Sequence, residues 1–384
     1  MYAIGAFRFS YEHYAAGYTP DFPGVERFKG RLIHPQQWTP DVDYAGKRVV
    51  VIGSGATAVT LVPELAKSAA HVTMLQRSPT YVVARPDEDS FANTLRRFLP
   101  ARTAYAFARW KAVLMSMIFF NLCKRWPARM KTWLLQGVRR ALGPDYDVDT
   151  DFTPRYKPWD QRLCLVPNGD LFCSIRDGRA SVVTDQIEGF TDRGIKLRSG
   201  AVLEADLIVT ATGLNMRVLG GVQLSVDGAA VDLSRALMYK GMMYSDVPNL
   251  ATAGGHTNAS WTLKCDLTAE YVCRLINHMD LTGMRQCMPR NRDGSIRSQP
   301  VFALSWGYIA RALPMLPKQG SKMPWRLHQN YARDLIALRY GRLDDSVMEF
   351  TKPKHARMDA AASANSRLPP RRGERPDEQH GLHL

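Results

Sequence analysis

Lys47–Ser78 reads KRVVVIGSGATAVTLVPELAKSAAHVTMLQRS, and the pattern of this stretch decides the fold. Val49–Ile52 is an apolar run short enough for a buried parallel strand. Gly53-Ser54-Gly55-Ala56-Thr57-Ala58 follows as G-x-G-x-x-A, then helical spacing over Val59–Lys67 and a second strand over His71–Leu75. Strand, glycine loop, helix and strand in that order make a βαβ unit of dinucleotide-binding length. The first glycine allows the tight turn, and the second lets a diphosphate approach the backbone. Ala58, at the third position, lets helix and strand pack closely. Free N–H groups at the helix start favour the anion. Gly53, Ser54, Gly55, Ala56, Thr57 and Ala58 are therefore cofactor-binding candidates.

The second strand is followed by Gln76-Arg77-Ser78. NAD sites usually place an acidic residue here to hold the ribose 2′-hydroxyl, whereas an arginine accommodates a 2′-phosphate. The expected nucleotide is NADP(H), with Arg77 and Ser78 at the phosphate. A solvated surface arginine is the plainer alternative.

At 384 residues the chain has room for two domains or more. Its six cysteines form no C-x-x-C pair and no metal-ligand spacing, so free thiols in a reducing cytoplasm and no metal site are expected. The net charge of +15 suggests a polyanion partner until it is located. Residues 91–144 hold eleven Lys/Arg and no Asp/Glu, and the stretch from Thr351 onward adds seven basic and four acidic residues. The remainder is close to neutral. The basicity belongs to one segment, and no nucleic-acid role is expected.

That segment carries aromatic and aliphatic residues at helical spacing, most apolar over Ala112–Leu122, with Arg109, Lys111, Lys124 and Arg125 at its ends. One reading is a helical insertion packed on the nucleotide domain, exposing a basic face. The other is an interfacial helix on anionic lipid, a peripheral membrane contact through 91–144. Localisation is accordingly cytoplasmic, with membrane association left open.

Phe28–Trp38, FKGRLIHPQQW, fits F-x-G-x-x-x-H-x-x-x-W just ahead of the nucleotide-binding strand. Here the chain resembles the Baeyer–Villiger monooxygenases, within the flavin-containing monooxygenase superfamily. The runs PWDQRLCLVPNGDLF, TATGLN, YKGMM, TNASWTLK and LPKQGS extend the resemblance to the ethionamide-activating type, over roughly residues 17–350. Thr39 departs from the usual fingerprint ending and is followed by Pro40.

The resemblance implies a two-dinucleotide-binding-domain α/β flavoprotein: a Rossmann-like NADPH domain with a helical insertion, plus an incomplete FAD domain. It implies FAD and NADPH as cofactors, O2 as co-substrate, and ketones or thioether and thioamide sulfur as substrates. His34 becomes a hinge residue coupling NADPH-domain motion to the flavin site, aided by Trp38; a loop histidine satisfied by backbone groups is the plainer alternative. Arg162 becomes the cation that stabilises negative charge on the oxygenated flavin and its ketone adduct, chemistry for which a fixed guanidinium is suited. A structural pairing of Arg162 with Asp160 is the alternative.

The strand Leu207–Thr210 runs into Ala211-Thr212-Gly213, the expected crossing to the FAD domain, which adds Thr212 and Gly213 to the cofactor residues. Asn258, Trp261 and Lys264 are candidates for the nicotinamide or substrate side, with core or surface roles as the alternative. The expected organisation is 1–45 as linker and FAD-domain remnant, 46–87 and 151–205 as the NADPH domain, 88–150 as the insertion, 206–350 as FAD domain, and 351–384 as a disordered tail. Met1–Phe9 reads as the end of a strand. Ala180–Thr184 and Gly194–Leu203 read as a β-meander, and Leu263–Asn277 as a long helix.

Only one glycine-rich dinucleotide loop is present, where the family has an earlier one for FAD. This raises the expectation of a truncated chain and, as an alternative function, a catalytically inactive NADP(H)-binding remnant. A flavin monooxygenase acting on nitrogen or sulfur is the other alternative.

Overall fold

A computed structural model describes residues 14–161, 163–302 and 307–352. Along the chain, β1 (Tyr14–Gly17) and β2 (Arg31–Ile33) precede β3 (Arg48–Ile52), α1 (Ala56–Leu65) and β4 (His71–Gln76). Then come β5 (Tyr81–Arg85), α2 (Ser90–Phe98), α3 (Ala101–Arg125), α4 (Pro127–Leu142) and the single turn α5 (Val148–Asp151). The nucleotide domain resumes with β6 (Leu163–Pro167), α6 (Asp170–Arg176) and β7 (Ala180–Thr184). It closes with β8 (Ile187–Thr191), β9 (Gly194–Leu197), β10 (Val202–Glu204) and β11 (Leu207–Thr210), before β12 (Leu214–Met216).

Five strands form the central sheet in the order β2-β11-β3-β4-β7, every pair parallel. Successive residues of a strand face opposite ways, so a sheet covered on both sides reads as one apolar run. Val49 and Val51 face the core built with α1, α4 and α6, through Val59, Val62, Val138 and Leu171. Val50 and Ile52 face a second core with Phe190, Ile195 and Leu197 of the antiparallel β8-β9-β10 meander. The expected strands and helix of 47–78 are all present, with the helix starting directly after Gly55.

Two placements differ from expectation. Ala180–Thr184 is not in the meander; it pairs in parallel with β4 at the sheet edge, because the α6 crossover returns it to the buried sheet. Leu207–Thr210 lies between β2 and β3 in the same sheet, all four residues buried. The nucleotide domain therefore runs to Ala211–Gly213 rather than ending at 205, and it includes β2 from the expected linker. Leu163–Pro167 is also a strand, paired in parallel with β5. The expectations for Met1–Phe9 and for the tail beyond Lys352 lie outside the described residues.

The described residues between 214 and 352 include α7 (Trp261–Thr282), whose Leu263, Leu267, Tyr271 and Leu275 pack with Tyr239, Met243, Trp325 and Leu338. The insertion bridges the two bodies. Helix α4 buries Leu134, Leu135, Val138 and Leu142 toward the nucleotide domain, while α3 puts Val113 into the core around α7.

Candidate functional site

The glycine loop meets three different demands. Gly53 has φ 134°, and a Cβ there would stand 2.4 Å from the Ala211 carbonyl oxygen, so only glycine fits. At Gly55 a Cβ would meet nothing within 4 Å, which leaves the backbone open where a diphosphate would sit. Ala58 is fully buried under the sheet, where a larger side chain would separate α1 from β3. Ser54 Oγ donates to the Ser78 carbonyl (3.2 Å) and lies 3.0 Å from Thr80 Oγ1, tying the loop to the end of β4. Arg77 and Ser78 are exposed there, and Arg77 has no ion-pair partner among the described residues. Gln76, by contrast, is buried and donates to Thr184 Oγ1 and the Asp151 carbonyl. Backbone donors at the helix start, open space and an uncommitted cation suit a phosphorylated dinucleotide.

The Phe28–Trp38 fingerprint converges on the crossing between the two bodies. Phe28 packs edge-on against Phe190 at 6.3 Å, and Gly30 abuts the Asp206 carbonyl, 2.6 Å from where a Cβ would stand. His34 is buried against Gly17. Its Nε2–H donates to the Gly213 carbonyl (3.0 Å), and its Nδ1 accepts from Gln36 N–H (3.2 Å). The two crossing segments run side by side here. β1 pairs with β12, Tyr18 N–H donates to Gly213 O, and the Thr212 hydroxyl donates to Tyr18 O. His34 thus fastens one crossing to the other with a neutral ring whose nitrogens are both used. Thr39 fits this arrangement: Arg31 reaches both its hydroxyl and Asp41. Trp38 packs edge-on against Tyr44 at 5.9 Å.

A cleft of about 560 Å³ opens between the bodies. The nucleotide domain supplies Arg85, Leu163 and Leu165, α3 supplies Ser116 and Phe119, and the α7 body supplies Gly254–Trp261, Phe302 and Tyr308. Of the residues expected on the substrate side, Asn258 and Trp261 line it. Lys264 does not; it is buried, with Nζ 2.7 Å from Asp334 Oδ2. Arg162 lies outside the described residues, although Trp159 and Leu163 on either side of it both line the cleft.

Residues 10–219 match the family model described as flavin-binding monooxygenase-like. The chain belongs to this family. EthA, an FAD-containing monooxygenase of Mycobacterium tuberculosis (strain CDC 1551 / Oshkosh), is 52% identical over 343 residues, covering 89% of this chain and 70% of EthA. An oxidised steroid monooxygenase bound to NADP superposes with TM-score 0.63 at 19% identity, over 88% of this chain and 74% of that one. Cyclohexanone monooxygenase from Rhodococcus sp. Phi1, bound to NADP+, gives 0.62 at 18%, over 89% and 74%. These likenesses establish the two-dinucleotide-binding-domain flavoprotein fold expected from sequence.

In this family member several cleft groups carried no sequence signal. Arg85 ends β5 and sits 6.0 Å from the Phe119 ring. Trp159 lines the same cleft, and its indole N–H is buried beside the Cys123 thiol. His256 is buried, with Nε2 2.7 Å from Asp334 Oδ2 and Nδ1 unpartnered among the described residues. Burial raises the Asp334 carboxyl, but hydrogen bonds and charge from His256 and Lys264 outweigh it and hold the group below the usual aspartate range. No local pattern pointed to His256. Its partner, Asp334, lies far along the chain.

Proposed function

We propose that this chain is an NADPH-dependent flavoprotein monooxygenase. It would place one atom of O2 in a ketone, giving an ester, or on thioether or thioamide sulfur, while NADPH reduces the second atom to water. The observation that carries this reading is the His34 clasp, which fastens the end of β2 to the Gly213 crossing between the two bodies.

In this reading the backbone of Gly53–Ala58 holds the NADPH diphosphate, with Arg77 and Ser78 at the 2′-phosphate. The bare face of Gly254, where a Cβ would meet nothing within 4 Å, together with Asn258 and Trp261, fits the ring end of FAD. Thr212 and Gly213 offer a cofactor only backbone, since the crossing engages the threonine hydroxyl and the glycine carbonyl. FAD, when bound, accepts hydride from NADPH and activates oxygen. The protein then has to hold charge and exclude water. We assign Arg162 to the developing oxyanion, a task for a preorganised cation in a confined site. His34 moves no proton in this account. It acts as a hinge fastener, with Trp38 holding its segment against the nucleotide domain.

Cytoplasmic location is supported by six free thiols. Peripheral membrane contact through 91–144 is supported by the exposed apolar surface of α3.

The test supplies the purified chain with FAD, NADPH and isotopically labelled oxygen gas, and offers a cyclic ketone or an alkyl thioether. One labelled atom in the product and one NADPH consumed per product are expected. NADPH binding without flavin uptake or labelled product would contradict the proposal and leave the inactive NADP(H)-binding reading. Labelled sulfoxide without ester would favour a sulfur- and nitrogen-oxygenating enzyme.

A further inference from the structure

We infer that α3 docks flat on an anionic lipid surface, through an apolar stripe with unpaired cations at its ends. This rests on the reading of peripheral contact through 91–144 and not on the oxygenation chemistry.

Helix α3 has 25 residues, and an 18-residue window within it has mean hydropathy 1.3 and is only 11% buried. At 1.5 Å per residue it is roughly 37 Å long, enough to cross a bilayer. Its anchors hold it on the protein surface instead. Arg109 pairs with Asp266 (3.0 Å), Lys111 with Asp89 (2.8 Å) and Lys124 with Asp160 (3.0 Å). Val113 and Cys123 are buried on the protein side. Crossing would break three ion pairs and empty a core position, whereas lying flat breaks none.

The stripe is Phe107, Trp110, Leu114 and Ile118, exposed by 56%, 44%, 51% and 56%. Their spacing of three, four and four residues puts them on one face of the helix. Trp110 sits at the edge of the stripe, with part of its ring packed on the buried Tyr331. Arg96, Arg97 and Arg102 lie toward the N-terminal end of the stripe, and Arg125 and Arg129 toward the other. None of the five has an ion pair among the described residues, and residues 91–144 contain no acid to balance them. An apolar stripe in the middle with cations beyond each end matches acyl chains beneath anionic headgroups.

Charge also argues against other occupants. A second copy would bring the same five cations face to face, and the chain from Thr351 onward is net basic as well. A nucleic acid would leave the apolar stripe uncovered. Ser116 and Phe119 of the same helix line the cleft, so docking would bring one wall of the cleft beside the bilayer.

The test is co-sedimentation of the full chain with phosphatidylcholine vesicles, with and without phosphatidylglycerol. Binding is expected only to the anionic vesicles, and it should weaken as salt shortens the Debye length. Leu114→Glu with Ile118→Glu should weaken it by about tenfold or more, since charge on the apolar face opposes insertion. Arg97→Ala with Arg102→Ala should weaken it less and flatten the salt dependence. All four positions are exposed, so thermal melting and NADPH binding measured on the same samples should stay at the parent values. Equal binding to both vesicle types, no binding, or unimpaired binding by the Leu114/Ile118 variant would overturn the proposal. So would a parent dimer that the same variant makes monomeric while vesicles stay unbound, which would make the stripe a self-interface.

Discussion

Strand β3 and helix α3 are both rich in aliphatic residues, and the molecule uses them in opposite ways. Val49, Val50 and Val51 are at most 1% exposed, closed in by α1 on one side and the meander on the other. On α3, Leu114, Met115 and Ile118 are each more than half exposed. Apolar content alone therefore does not report burial. What separates the two is context: β3 sits in a nearly neutral region with a covering layer on each face, whereas α3 has a protein partner on one side only and uncompensated positive charge around it.

The largest effect expected from this contrast is on stability. Val51→Asp puts an unpaired carboxylate inside the sheet and should cost about 4 kcal/mol or more, enough to abolish cooperative melting. Leu114→Asp, the same chemistry on α3, should change stability by less than about 0.5 kcal/mol. Comparable losses in denaturant melts would erase the distinction.

The second effect lies within the nucleotide domain, where one position is deliberately uncovered. Gly55→Val places its side chain in open space, so melting should hold while NADPH affinity falls by about tenfold or more, because the diphosphate needs that backbone. A titration showing unchanged affinity would mean that the loop does not hold the dinucleotide.

The smallest effect is at the seam on which α3 rests. Asp334, near the Trp110–Tyr331 contact, is held below the usual aspartate range in the folded chain. A depressed carboxylate contributes stability above its unfolded pKa and loses it as pH falls through the folded value. Melting temperature should therefore drop on the acid side of the ordinary aspartate range. Asp334→Asn should be less stable at neutral pH, since Lys264 loses its partner, and should show a flatter acid limb. An acid limb as steep as the parent's would remove Asp334 from the account.

What the sequence disclosed follows the same division. The βαβ unit was legible because each of its requirements is local: a four-residue apolar run, glycines at fixed offsets, a helix period. The fingerprint was legible as a spacing, but its physical content was not. That His34 meets Gly213 depends on a crossing 179 residues further along the chain. Ala180–Thr184 was misread because a short apolar strand looks the same in a meander and in a parallel sheet, and Leu207–Thr210, read as a buried strand, was assigned to the wrong side of the crossing. For Lys264 the cleft and the core were both open, and the core role depends on Asp334, a partner no local pattern names. The outward face of α3 was one of two open readings, since periodicity gives a helix's stripe but not what covers it.

The most direct test of the account is equilibrium titration of the chain with NADPH and NADH, followed by tryptophan fluorescence, for the parent and Arg77→Ala. The parent should bind NADPH about tenfold or more tightly than NADH, and Arg77→Ala should abolish that preference by weakening NADPH alone, since only NADPH carries the 2′-phosphate. Equal affinities in the parent, or equal losses for both nucleotides in the variant, would contradict it.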